Sequence, residues 1–174
     1  MSHCIRLLAA AAFLAAGASP ALATDGPSDA EIAHIAYTAG ALDAAAAKQA
    51  LAKTRNAQVR AFAEVMLRDH EAVNEKALAL VTKLNVTPAD NATSQALAKQ
   101  AKETEARLAG LQGTAFDMAY IQNEAAYHRA VNGAIKGTLI PSADNGELKA
   151  LLQTGLSLFG QHQAHAEQLA KSLR

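Results

Sequence analysis

The sequence predicts an all-α protein: four long amphipathic helices in a bundle, with a shorter helix crossing between the second and the third. Three observations carry that prediction. Beyond position 23 roughly a quarter of the residues are alanine, tryptophan is absent and β-branched residues are scarce, a composition that favours helix over strand. Long stretches repeat apolar positions every three or four residues, and none alternates with a period of two. Clusters of Pro, Gly, Asn and Asp separate those stretches.

The chain opens with a leader. Met1 to Arg6 is short and basic, Leu7 to Ala16 is apolar, and Ala21-Leu22-Ala23 has the small-x-small form. These are the three parts of a cleavable secretory signal peptide, residues 1–23, and they predict export to the periplasm. The apolar run is about half of the roughly twenty residues that a spanning helix needs, so no membrane span is expected. No Leu-x-x-Cys motif closes the run, which argues against a lipid anchor. Cleavage after Ala23 leaves residues 24–174 as a single helical-bundle domain, a common size for one core. The only cysteine, Cys4, would leave with the leader. That excludes disulfides, thiolate metal sites and a cysteine nucleophile from the exported chain. Sixteen basic residues balance sixteen acidic ones, and loss of Arg6 leaves fifteen against sixteen, with both signs interspersed. There is no basic stripe for nucleic acid and no cationic face for an anionic membrane.

The helices follow in order. Ser28-Asp-Ala-Glu31 has the form of a capping box, and the first long helix runs from it to about Lys53 along Ile32, Ile35, Ala39, Leu42, Ala46 and Ala50. The second starts near Asn56 and runs to about Leu84, its stripe passing through Phe62, Met66, His70 and Leu80. Residues 85–91 form a turn-rich break, and a shorter polar helix from about Thr93 to Leu111 follows, ended by Gly113. The third long helix runs from about Thr114 to Leu139, where residues 140–146, with Pro141 and Gly146, break the chain. The fourth runs from about Glu147 to Ser172 along Leu148, Leu152, Gly155, Phe159, His162, Ala166 and Leu169. A crossover helix covers the return distance, so the second and third long helices would run parallel in a ferritin-like four-helix bundle. A plain up-down bundle with the third helix reversed is the competing topology. One aromatic per long helix, Tyr37, Phe62, Tyr120 and Phe159, is expected to supply most of the core's bulk.

Several pieces of the chain together resemble a known family. They are Gly40-x-x-Asp43, Val59-x-x-Phe62-Ala63-x-x-Met66-x-x-Asp69-His70, Phe116-Asp117-x-x-Tyr120, His128 and His162-x-x-x-Ala166-x-x-Leu169. The family is a bacterial exported domain of unknown function, often labelled "predicted outer membrane protein", whose members are ferritin-like helical bundles. The resemblance spans nearly all of residues 24–174 and implies fold and compartment, but no established activity. Two positions depart from the family's pattern. Asp43 stands where Glu is usual, which keeps the carboxylate and shortens its reach, and Leu156-Ser157 stands where Leu-Pro is usual. The outer-membrane label does not suit these residues, which contain no alternating ten-residue β segments.

Histidine is the informative residue type. His70, His128 and His162 each fall on the apolar stripe of a different long helix. At a rise of about 1.5 Å per residue, His70 and His128 share a level if their helices are parallel, and Asp43 and His162 lie within a turn or two of it. One polar ligand-type residue per helix near the middle is how bundle metal sites are built. Three imidazoles with one carboxylate suit zinc, copper or iron. The same residues could instead form a buried hydrogen-bond network with Asp43, Tyr120 or Glu124 that binds nothing. Asp69 is expected on a different face, paired with Arg68 or Arg129 or in solvent. His165 reads as a flank position beside His162. Glu31-x-x-His34 lies in the first turn, where capping already explains Glu31. The paired Glu-x-x-His motifs of ferritin-type di-iron sites are absent, which disfavours ferroxidase chemistry. So are a phosphate loop, a Gly-x-Ser-x-Gly elbow and closely spaced carboxylates.

Two functional expectations follow. One is a periplasmic binding or structural module acting through an unspecified protein partner, with a link to envelope stress that comes only through the family. The other is a transition-metal-binding bundle for sequestration or sensing. A metalloenzyme would need an open coordination position and a substrate cleft, and the sequence points to neither.

Overall fold

The computed structural model describes residues 26–173, and the leader at residues 1–23 lies outside the described residues. Every element assigned among them is helical. The order is α1 (Asp29–Lys53), α2 (Ala57–Lys83), α3 (Ala92–Ala109), α4 (Gly113–Ala134), a π-helical turn (Ile135–Leu139), α5 (Ile140–Ser142) and α6 (Gly146–Ser172). Among the described residues no helix is long and apolar enough to cross a membrane.

Local chemistry starts and stops these helices largely where the residues say it should. Ser28 N donates to Glu31 Oε2 at 2.9 Å while Ser28 Oγ accepts from Glu31 N at 3.4 Å, so both halves of the capping box form. Asn56 and Asn145 accept from the first free backbone N–H groups of α2 and α6. Asn85, at φ 52°, turns the chain after α2 in the left-handed region that asparagine tolerates.

Two boundaries differ from expectation. α3 ends at Gly110, and Gly113, at φ 53°, opens α4 instead of closing α3. Helical structure also continues past Leu139 to Ser142. Pro141 has no N–H to offer a preceding carbonyl and its ring crowds that turn. The wider π turn just before it loosens the helix there without ending it.

Packing sets the direction of each helix. One apolar cluster joins Ala47 and Ala50 near the end of α1, Val59, Phe62 and Met66 near the start of α2, Phe116 and Tyr120 near the start of α4, and Ala166 and Leu169 near the end of α6. A second joins Ile32 and Ile35, Ile135 and Leu139, and Leu148 and Leu152 at the other end. Hence α2 and α4 run parallel, and α1 and α6 run against them. α3 makes the return journey alongside α1. At its start Asn91 Nδ2 donates to Glu31 O, and at its far end Lys53 Nζ donates to Ala109 O at 2.6 Å. Pairs α1–α2 and α4–α6 form the main interfaces and α2–α6 and α1–α4 close the bundle. This is the ferritin-like arrangement, and the plain up-down topology is not adopted.

The core is small-residue packing around a few rings. Phe62, Phe116 and Tyr120 are fully buried, whereas Tyr37 is only partly covered, so Phe116 takes the bulk expected of Tyr37. On α1 the buried face runs through Ala39, Asp43, Ala47 and Ala50, leaving Leu42 and Ala46 partly exposed.

Candidate metal centre

Each long helix delivers one ligand-type side chain to the middle of the bundle. Asp43 comes from α1, His70 from α2, His128 from α4 and His162 from α6, and none is more than 3% exposed. They are adjacent because α2 and α4 are parallel and both histidines lie about four turns from their helix starts. The ring centroids are 5.6 Å apart for His70–His128, 5.5 Å for His70–His162 and 5.4 Å for His128–His162. One nitrogen from each imidazole lies within 4.8 Å of the other two. His70 Nε2 is 3.4 Å from His128 Nε2. Asp43 Oδ2 lies 3.2 Å from the first and 3.5 Å from the second. The ring of Phe159 stacks on His70 at 4.6 Å and 11°, which holds that imidazole in plane.

The outer partners decide which nitrogens carry protons. His128 Nδ1 is 3.0 Å from the backbone carbonyl of Glu124, one turn back. A carbonyl only accepts, so Nδ1 donates and Nε2 turns its lone pair inward. His162 Nε2 is 2.9 Å from Asp69 Oδ2, so Nε2 donates there and the buried Nδ1, which has no partner, is left with the lone pair. Neither Asp43 oxygen makes an aligned hydrogen bond to an imidazole; the carboxylate's partner is Glu124, whose carboxyl lies beside it. Buried polar atoms are normally paired. His70 Nδ1 has no partner either, so no outer group fixes the His70 tautomer, and its Nε2 faces Asp43 Oδ2 at 3.2 Å and His128 Nε2 at 3.4 Å.

Burial opposes protonation of His70 and His128. Burial, reinforced by His162, pushes His70 down to about 3. Burial also takes His128 down to about 4, against the opposing pull of Asp43. Burial raises Asp43, with the neighbouring histidines acting the other way. Burial and the nearby Asp43 raise Glu124 well above the usual carboxylate range.

Asp69 corrects an expectation. Its Oδ1 takes Arg68 at 2.8 Å, but Oδ2 reaches across to α6 and His162, while Arg129 pairs with Glu167 instead. The neighbouring helix brings the partner to Asp69, and spacing along α2 does not reveal it. Glu124 is the second residue to gain a role. Asp43, Glu124 and His128 bring ligand atoms within 4.8 Å of one another, so the fold makes a carboxyl pair that the sequence does not display. The signal available was Glu124-x-x-x-His128, one helical turn on one face. His165 is exposed and packs edge-on against Phe62, and His34 lies near Asp90 at the start of α1. Neither joins the cluster.

Comparison with known proteins yields one match. Neither the curated proteins nor the solved structures include a match to this chain. A family model described as "Domain of unknown function (DUF4142)" matches residues 12–169, which takes in all four converging helices. On that coverage, the chain belongs to this family of unknown function.

Proposed function

We propose that this protein is an exported, periplasmic transition-metal-binding bundle. It would hold one ion of the zinc, copper or iron class through His70 Nε2, His128 Nε2, His162 Nδ1 and Asp43 Oδ2, for sequestration or sensing. The observation that carries the reading is the spacing of the inward-facing atoms. An ion with tetrahedral bonds of about 2.0–2.1 Å places its ligand atoms roughly 3.3 Å apart. Three of the distances here are 3.2, 3.4 and 3.5 Å. A hydrogen-bond network that binds nothing is the competing reading; in the present geometry neither Asp43 oxygen is in an aligned hydrogen bond with an imidazole. Neutral imidazoles need lose no proton to ligate. With His162 drawn in from within 4.8 Å of the other two imidazole nitrogens, four protein ligands would close the coordination sphere, which suits holding an ion better than activating a substrate. The periplasmic assignment rests on the tripartite leader at residues 1–23.

Elemental analysis of tag-free protein tests the site. One transition-metal ion per chain is expected, lost to chelator and regained on reconstitution. Zinc or copper should raise the melting temperature of the stripped protein by linkage, and His70→Ala with His162→Ala should abolish that rise. Failure to take up metal after reconstitution overturns the reading. Intact-mass measurement of periplasmic material should give a chain starting at or near Thr24, and retention of residues 1–23 in a membrane fraction refutes export.

A further inference from the structure

None of the four proposed ligands is more than 3% exposed, so an ion reaches them only if part of the bundle moves. Three of them, Asp43, His70 and His128, form the inner wall of a cleft of about 690 Å³ framed by α1, α3 and α4. Its outer walls are apolar and include Leu42 of α1, Leu97 of α3 and Val131 of α4. Apolar walls close together shed water, and an ion stripped of water is costly to move between them. The closed cleft leads to the centre without letting an ion through. The opposite side is braced. His162 on Asp69 ties α6 to α2, and Arg129 with Glu167 and Asn132 with Gln163 tie α4 to α6.

α3 is the wall held least. Ser94, Leu97, Ala101, Thr104 and Leu108 form one stripe along it at three- and four-residue spacing. Only Ser94 and Leu108, near its two ends, are buried, and the three between them stay partly exposed. Few buried contacts mark a segment that opens without global unfolding. Its hydrogen bonds to other helices come from α1, where Gln49 Nε2 donates to Glu105 O at 3.1 Å and Lys53 Nζ to Ala109 O. Among the described residues α4 supplies none. The two ends differ. Leu108 is fully buried with Ala47, Ala50 and Phe116. The other end is tied to α1 by polar contacts that water can replace. Ala89 N donates to Ala30 O at 3.0 Å, Asn91 Nδ2 donates to Glu31 O at 3.4 Å, and His34 Nδ1 lies 3.9 Å from Asp90 Oδ1.

We propose that α3 is the gate of the metal centre. It pivots at Leu108, frees its Asn91 end from α1 and floods the cleft, so that the ion enters and leaves on the Asp43 side. Closed, α3 keeps water from the ligands and retains the ion. This inference rests on the metal reading above and adds the route to it.

Two measurements test the gate. In chelator-stripped wild type, native-state hydrogen exchange should show the α3 amides exchanging as one unit, faster than those of α2 and α6. The second measurement uses the double variant His34→Cys with Asp90→Cys, whose side chains both reach solvent across the moving end. Residues 24–174 contain no other cysteine, so a short bis-maleimide joins only this pair. Zinc loss into excess chelator should slow roughly tenfold or more on linking, compared with the same variant left unlinked. The same link in Lys83→Cys with Glu147→Cys, which joins α2 to α6 where the native side chains meet at 2.6 Å, should leave the loss unchanged. Equal loss from linked and unlinked His34→Cys with Asp90→Cys overturns the gate and leaves the metal centre standing. Equal slowing by the two links overturns it, as does α3 exchange no faster than that of α2 and α6. If stripped wild type takes up no zinc at all, the metal centre falls and the gate falls with it.

Discussion

At the scale of single residues, Asp69 shows how a site is held by a group that does not line it. Its Oδ2 fixes His162 Nε2 at 2.9 Å and so turns Nδ1 inward, while Arg68 occupies its other oxygen. Carboxylates behind metal-ligating histidines set tautomer and ring orientation, and their loss typically costs about 10–100-fold in metal affinity. Asp69→Ala is therefore expected to weaken zinc binding by that factor with little change in the circular dichroism. Arg68→Ala, which removes only the exposed partner, should leave affinity nearly unchanged. Competition titration against a chromophoric chelator measures both. Equal affinity in Asp69→Ala and the wild type would mean that His162 is oriented by packing alone.

At the scale of helices, two glycines separate close packing from helix propensity. Gly40 on α1 faces the Asn74 side chain of α2 so closely that a Cβ there would collide with it. This approach lets α1 lie tightly on α2 one turn before Asp43. Gly40→Val should cost roughly 1–3 kcal/mol, the usual range for overpacking. Gly160, in the interior of α6, has open space where a methyl group would sit, with nothing within 4 Å. Gly160→Ala should stabilise by about 0.5–1 kcal/mol, since alanine restricts the unfolded chain and favours the helix. Urea unfolding of the two variants decides it, and similar effects of one sign would show that the α1–α2 spacing is not tight. The same contrast explains which boundaries could be read in advance. Ser28 and Asn56 cap their helices through contacts within three residues. The π turn before Pro141 instead keeps Ile135 and Leu139 packed against Ile32, Leu148 and Leu152, a requirement set by distant parts of the chain.

For the whole molecule, the buried cluster sets competing pH dependences. His70 and His128 sit at about 3 and about 4 when folded, against an ordinary value near 6.5. Their contribution is complete above pH 6.5 and is lost as pH falls toward 4, because the unfolded chain takes up protons that the folded chain refuses. Asp43 and Glu124 are raised in the folded state and act with the opposite sign, binding protons first in the folded chain. The two effects offset, so metal-free protein should lose stability only gradually between pH 6.5 and 4.5. Glu124→Gln removes one of the compensating protons. Its stability should fall more steeply across that window, by about 1 kcal/mol per pH unit. Urea unfolding in chelator at several pH values provides the slopes, and parallel slopes for the two proteins would show that Glu124 does not hold its proton.

The amino-acid sequence by itself determined the helices, the caps at Ser28 and Asn56, the mid-helix level of His70 and His128, and the exclusion of cysteine chemistry from residues 24–174. Those properties depend on periodicity and on contacts within a turn or two, which the chain carries locally. Tertiary structure alone decided the parallel course of α2 and α4, the replacement of Tyr37 by Phe116 in the core, and the pairing of Asp69 with His162 across two helices. It also decided that Asp43 and Glu124 meet, and that α3 leaves a cleft beside them. Each of these depends on the rotation and separation of helices remote in sequence. Packing of the two apolar clusters fixes that geometry, and a one-dimensional pattern of apolar positions leaves it open.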